Sequence, residues 1–155
     1  MTDKKDCPFD PQSLCQIAIV VKSIAGTTKF YEEVFGIGPF RFQEVNFPTA
    51  TYYGKPGGYR GKRAFARLGP VTLELIELIG GKTVHEDFLK EKGEGLHHIG
   101  FEVKDLKASV AEAEKKGLKV IQGFTRKDGS GFVYLDSDKI GGVMFEVIQD
   151  FAPKP

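Results

Sequence analysis

The 155-residue sequence lacks several features that would assign it quickly to a class. Its 22 basic and 21 acidic residues nearly cancel, to a formal net charge of +1, so we expect no nucleic-acid partner. No apolar run approaches the roughly 18 residues of a membrane span, and none follows Lys4 and Lys5, so we expect neither a membrane partner nor a secretory signal. The two cysteines, Cys7 and Cys15, make no disulfide framework, which indicates free thiols in a reducing cytoplasm.

One short sequence pattern occurs twice. Residues 14–22 and residues 96–104 both alternate branched or aromatic side chains with small or polar ones, which predicts a β-strand in each. Aligning the two strands places Gln16 where the second copy has His98. A helical pattern and then further strands follow each copy, so the sequence indicates an internal duplication rather than a solenoid.

The two copies predict an α+β fold, in which duplicated βαβββ modules form a curved mixed sheet around a concave site. Between the copies, residues 83–86 have the capping pattern of a short linker helix, and we expect His85 on this helix to lie at the surface. The predicted organisation is a flexible tail at residues 1–13 and one domain at residues 14–150. Within that domain, the first module, the linker helix and the second module occupy residues 14–79, 80–94 and 95–150.

Strand alternation predicts that four polar side chains share the concave face. In each first strand the bulky residues share one face, which packs under a helix, while small residues share the other. Buried carboxylates are costly unless they are paired or bind a metal, and mixed nitrogen and oxygen ligands suit Zn, Co, Ni or Mn. Such a cation would polarise a substrate carbonyl oxygen and stabilise an enolate. The candidate ligands are Gln16, Glu74, His98 and Glu146, whereas His97 has the opposite parity and is expected to pack under the helix.

Three cations lie close together in the least regular part of the sequence. Residues 48–63 are rich in glycine and tyrosine, which predicts a loop or a broken strand pair. Arg60, Lys62 and Arg63 are candidates for binding a phosphate, a CoA moiety or a carboxylate of the substrate. The alternative interpretation of these residues is a solvated loop.

The duplicated modules, with these four polar positions, resemble the vicinal oxygen chelate superfamily, which includes glyoxalase I, methylmalonyl-CoA epimerase, extradiol dioxygenases and bleomycin-resistance proteins. Residues 93–103 and 141–149 look most like methylmalonyl-CoA epimerase. The resemblance implies metal-dependent proton transfer α to a carbonyl, with Glu146 at the metal and in the proton-transfer site. It also implies a divalent metal cofactor (Co, Zn, Ni or Mn), a small-molecule acyl-CoA or thioester-type substrate, and a homodimer.

Two departures from the epimerase pattern leave alternatives open. Gln16 stands where epimerases usually have histidine, so the four residues are also similar to the zinc set of glyoxalase I, a lactoylglutathione lyase. Epimerases carry a second acid–base glutamate in the region of residues 48–63, but no acidic residue occurs between Val45 and Leu73. That base is therefore absent or displaced to Glu44. A metal-free ligand-binding protein of the bleomycin-resistance kind is the third alternative.

Overall fold

The computed structural model describes residues 7–151, which form three helices and ten strands. The helices are α1 Ile24–Phe35, α2 Val84–Lys92 and α3 Leu106–Lys115. The strands are β1 Leu14–Val20, β2 Arg41–Phe47, β3 Thr51–Tyr52, β4 Lys55–Pro56, β5 Tyr59–Leu68, β6 Val71–Gly81, β7 Gly95–Glu102, β8 Val120–Thr125, β9 Gly131–Leu135 and β10 Met144–Gln149.

All ten strands belong to one mixed sheet, in the order β2-β5-β6-β1-β7-β10-β9-β8-β3-β4. The two repeated strands, β1 and β7, pair antiparallel at its centre, where Ile17 lies opposite Ile99. Each is flanked on its outer side by the last strand of its own half, and both of these pairs are parallel. The order of strands on either side of the centre is therefore the same, which confirms the predicted α+β fold of duplicated modules.

The helices cover the two faces of the sheet differently. Each begins at a polar cap, because Ser23, Thr83 and Asp105 accept hydrogen bonds from first-turn backbone N–H groups. Helices α1 and α3 pack against the bulky face, in clusters that include Leu75 and Val147. Helix α2 instead packs across one end of the opposite face, which leaves the other end of that face open.

Residues 48–63 are more regular than the sequence predicts. Strand β5 begins at Tyr59, and the short strands β3 and β4 form a hairpin that pairs with β8 of the second half. At the end of β2, the ring of Phe47 lies 4.9 Å from that of Phe124 and 5.2 Å from that of Phe132. These contacts join the two outer parts of the sheet, so the open end of the concave face becomes a walled cavity.

The predicted tail is only partly described, because residues 1–6 lie outside the described residues. Phe9 stacks on Phe101, with ring centroids 4.0 Å apart, and Asp10 caps a single 3₁₀ turn at Pro11–Ser13. Residues 7–13 are therefore packed on the domain, because an aromatic stack and a capped turn hold them there. Within residues 7–151, no helix is both long and apolar enough to cross a membrane.

Candidate active site

A cavity of about 520 Å³ occupies the open end of the concave face. Its floor includes Gln16, Glu74 and Glu146, from the central strands β1, β6 and β10. His98, from β7, is fully buried directly beside them. The four predicted residues therefore lie together at the bottom of one cavity, because each has the strand parity that faces the concave side.

Polar atoms of these four residues surround a common point near His98 Nε2. This nitrogen lies 2.9 Å from Glu146 Oε2, 3.6 Å from Glu74 Oε2 and 3.4 Å from the Gln16 amide nitrogen. Two ligands of one cation, with bonds of about 2.1 Å, lie roughly 3.0–3.4 Å apart, so the spacing fits a shared divalent ion. Rotating the Gln16 amide by 180° would exchange its nitrogen for the oxygen that such an ion requires.

One oxygen at this point is left without a hydrogen bond. Glu146 Oε2 is buried and, despite its closeness to His98 Nε2, makes no hydrogen bond within the described residues. Space for the carboxylate comes from Gly100, because a side chain there would place its Cβ 3.3 Å from Glu146 Oε2 and 3.1 Å from Gln16 Cβ. An orphaned buried carboxylate oxygen is the kind of atom that a bound cation would satisfy.

Arg63 joins this group and forms a buried ion pair with Glu74. Its Nη1 donates to Glu74 Oε1, its Nη2 donates to the Tyr59 hydroxyl at 3.2 Å, and its Nε is buried without a partner within the described residues. Arg63 also lines the cavity. The Nε–H group of this cavity-lining residue is therefore without a partner within the described residues.

The structure separates Arg63 from Arg60 and Lys62, because the three side chains do not share a face. They lie on strand β5 rather than in a loop, and successive side chains of a strand point to opposite faces. Arg60 and Lys62 are exposed and lie outside the cavity wall, and Lys62 pairs with Glu77 at 3.8 Å. Only Arg63 of the three is placed to contact a ligand there.

Two further arginines line the cavity, and the sequence analysis missed both. Arg41, at the start of β2, lies 5.5 Å from the ring of Phe65. Arg126, directly after β8, lies 4.4 Å from the ring of Phe151. Because each guanidinium rests on an aromatic ring, the cavity wall carries two partly ordered positive charges. Nothing local in the sequence marks these two residues, since they come from opposite halves of the chain.

Burial shifts the titration of the central groups. It lowers the pKa of His98 to about 4, against the opposing charge of Glu74. It raises the pKa of Glu146 to about 8, although the Arg63 charge and hydrogen bonding by Tyr134 act in the other direction. Without a cation, His98 is therefore neutral at pH 7 and Glu146 is mostly protonated. A bound cation would reverse this balance at Glu146.

Behind the site lies a second cluster, of three buried imidazoles. His85 is fully buried, contrary to the prediction, because α2 packs across the concave face and directs this side chain inwards. Its Nδ1 lies 2.8 Å from the Thr83 hydroxyl and its Nε2 lies 3.1 Å from the Tyr134 hydroxyl. Nitrogen atoms of His85, His97 and His98 lie within 4.8 Å of one another. Burial lowers the pKa of both His85 and His97 well below the usual range, so these rings are neutral.

Glu44, the predicted substitute for a second acid–base group, borders the same cavity. It lies on the edge strand β2, is exposed, and has Lys62 as its register partner on β5. Its neighbour Gln43 is in register with Arg63, so the alternation of β2 directs Gln43 rather than Glu44 to the concave face.

Known proteins share this fold and sequence pattern. A family model described as the glyoxalase/bleomycin resistance protein/dioxygenase superfamily matches residues 15–134. The uncharacterized protein YqjC of Bacillus subtilis is 28% identical over 138 residues, which is 88% of this chain and 91% of that protein. Human mitochondrial methylmalonyl-CoA epimerase is 31% identical over 139 residues, 88% of this chain and 73% of that protein.

A solved structure shows the same fold. It is a variant of Streptomyces coelicolor methylmalonyl-CoA epimerase in complex with 2-nitronate-propionyl-CoA, with a TM-score of 0.69 and 24% identity. The match covers 90% of this chain and 98% of that one. The family model spans most of the chain, and the duplicated mixed sheet is shared with the solved structure, so the chain belongs to the glyoxalase/bleomycin resistance protein/dioxygenase superfamily.

Proposed function

We propose that this protein catalyses metal-dependent proton transfer at the carbon α to a carbonyl, as a methylmalonyl-CoA epimerase-like isomerase. The observation that carries the proposal is the orphaned Glu146 Oε2, buried at the floor of the cavity and 2.9 Å from His98 Nε2. The relatives named methylmalonyl-CoA epimerase support the reaction class.

The residues present fit a divalent cation such as Co, Zn, Ni or Mn. Gln16, Glu74, His98 and Glu146 would hold it, since they offer one nitrogen and three oxygen ligands around one point. When bound, the cation would polarise the substrate carbonyl and stabilise the charge that develops on its oxygen. Glu146 would take the α proton and return it, because its carboxylate lies at the cavity floor.

Arg63 would contact an anionic or carbonyl group of the substrate through its free Nε–H group. The position of Arg41 and Arg126 on the cavity wall supports a substrate with a negatively charged tail, such as an acyl-CoA thioester. Solved methylmalonyl-CoA epimerases are described with 2-nitronate-propionyl-CoA and with methylmalonyl-CoA. Glu44 and Asp150 are the further acidic residues that line the cavity, but β2 directs Glu44 away from the concave face, which disfavours Glu44 as the second acid–base group of an epimerisation.

The test follows solvent deuterium. The protein is stripped with a chelator, reloaded separately with Co, Ni, Mn or Zn, and incubated with methylmalonyl-CoA in D₂O. We expect deuterium at the α carbon only in reloaded samples, and loss of exchange in Glu146→Gln. Glu102→Gln, an exposed carboxylate outside the cavity wall, is the matched control and should exchange normally. No exchange with any of the four metals would refute the proposal.

The same preparations distinguish the two alternatives. The set of Gln16, Glu74, His98 and Glu146 also favours glyoxalase I, which would form S-lactoylglutathione from the methylglyoxal–glutathione adduct. The ion pair of Arg63 with Glu74 favours a metal-free binding protein, because it already supplies one positive charge to the floor. Less than about a tenth of an equivalent of metal per chain, after incubation with excess metal, would support that alternative.

A further inference from the structure

His97 and His98 are consecutive in strand β7, yet both side chains lie on the same side of the sheet. The register between β1 and β7 shifts between Ala18 and Ile19, which pair with His98 and Leu96 and leave His97 as an extra residue. Such a β-bulge re-aims one side chain relative to simple alternation. His97 consequently packs against Phe88 of α2, and its Nδ1 lies 2.9 Å from His98 Nδ1.

The contact between the two Nδ1 atoms requires one donor and one acceptor. At this separation of 2.9 Å two Nδ1–H groups would point at each other, so only one of the two Nδ1 atoms carries a proton. To ligate the cation of the proposed site, His98 Nε2 must keep its lone pair, and Glu146 Oε2, although 2.9 Å away, accepts no hydrogen bond from it. The His98 proton then belongs on Nδ1, from which it is donated to His97 Nδ1.

The far side of His97 is consistent with this arrangement. An acceptor at Nδ1 leaves the proton of a neutral His97 ring on Nε2. His97 Nε2 makes no hydrogen bond of good geometry within the described residues, and the ring borders a small cavity of about 90 Å³. Donation therefore runs from His98 Nδ1 to His97 Nδ1, which leaves the His97 proton on Nε2.

We propose that His97 is a positioning residue, which fixes His98 in the tautomer that keeps the Nε2 lone pair free for a cation shared with Gln16, Glu74 and Glu146. The inference rests on the metal site of the proposed function, but not on the reaction. Histidine ligands commonly donate their second N–H to a carboxylate, a carbonyl or water, and loss of that acceptor weakens metal binding about 10- to 100-fold. Here the acceptor is the preceding imidazole.

The three-imidazole cluster offers a competing explanation, in which His85, His97 and His98 themselves bind an ion. Two observations disfavour it. Both nitrogens of His85 already contact hydroxyl groups. The Nδ1 atoms of His97 and His98 already contact each other at 2.9 Å, so neither is free to ligate an ion between the rings.

The test compares two substitutions of one residue by cobalt titration of the metal-free protein. His97→Asn keeps an acceptor near the position of Nδ1, whereas His97→Leu removes it. We expect the Co(II) dissociation constant to rise about 10- to 100-fold in His97→Leu, with a changed ligand-field absorption spectrum, and to stay within roughly threefold of the unchanged protein in His97→Asn. A structural role alone would alter both variants through stability and leave the spectrum of the bound cobalt unchanged.

A second measurement needs no variant and no metal. Nitrogen NMR of ¹⁵N-histidine-labelled metal-free protein should show His98 protonated on Nδ1 and His97 protonated on Nε2. The opposite tautomer at His98, equal affinities in the two variants, or a second equivalent of Co(II) per chain would each overturn the inference. Cobalt binding that depends on His97, without deuterium exchange, would refute the proposed reaction and leave this inference standing. No cobalt binding by the unchanged protein would overturn both.

Discussion

The ion pair between Arg63 and Glu74 should hold much of the stability of the cavity floor, and Arg63→Met tests this. The side chains are only 8% and 2% exposed, so the substitution would leave the Glu74 carboxylate buried without its partner. Breaking a buried pair in this way costs about 3–5 kcal/mol. The carboxylate can escape by taking up a proton, which at pH 7 costs about 4 kcal/mol for a glutamate of ordinary pKa. We therefore expect a loss of about 3–4 kcal/mol.

Urea unfolding of the metal-free protein at pH 7 measures this loss, and a double mutant isolates its cause. Arg63→Met combined with Glu74→Gln removes both charges, so we expect it to unfold within about 1–2 kcal/mol of the unchanged protein. Lys62→Met is the matched control, because the adjacent Lys62 is 48% exposed in its pair with Glu77 and should cost under about 1 kcal/mol. A loss below about 1 kcal/mol for Arg63→Met, or a double mutant that costs the sum of its single changes, would refute the reasoning.

Three further predictions concern the same floor. The burial of His98 should cost the metal-free protein about 3 kcal/mol of stability as the pH falls from 6.5 to about 4, because the unfolded chain binds a proton at His98 near 6.5 and the folded chain only near 4. This contribution is measured as the difference between the unfolding free energies of the unchanged protein and His98→Asn across the range, because His85, His97 and Glu146 titrate in both proteins and Glu146 acts in the opposite direction. Metal affinity should rise about tenfold per pH unit between pH 6 and 8, because Glu146, with a pKa of about 8, must lose its proton before it can bind the cation. Calorimetric titration of Glu146→Gln should show no such dependence of metal affinity on pH. Gly100→Ala should weaken metal binding measurably, because its Cβ would crowd Glu146 Oε2 at 3.3 Å, whereas Gly80→Ala, with open space around it, should bind metal normally.

Much of the fold was predictable because its signals are local. Period-two alternation and the repeated sequence pattern predict β1 and β7. The capping pattern predicts α2 at Val84–Lys92, as observed. The hairpin of β3 and β4 was not predictable in the same way. Its strands are two residues long and exist through pairing with β8, a partner from the other half of the chain. Local composition showed only the glycines of the turns.

The candidate site was likewise predictable only where its signals are local. Gln16, Glu74, His98 and Glu146 come together because strand parity is a local property and a duplicated fold brings matching strands to one centre. The role of Arg63 was only partly predictable, since proximity in sequence grouped it with neighbours that face away. The burial of His85 depends on where the linker helix packs, which no residue of that helix determines alone.

The charges at the cavity floor connect metal binding with proton transfer. Two carboxylates, Glu74 and Glu146, lie beside one guanidinium, while His98 is neutral, so the buried group carries an unbalanced negative charge when both acids are ionised. Burial of its own carboxylate raises the pKa of Glu146, and a proton on Glu146 removes the unbalanced charge. Protonated Glu146 cannot accept a substrate proton at pH 7, whereas a divalent cation would balance the carboxylate and keep it ionised. For the proposed reaction, the single positive charge of Arg63 would therefore not suffice, and we expect base function and cation binding at Glu146 to appear or disappear together.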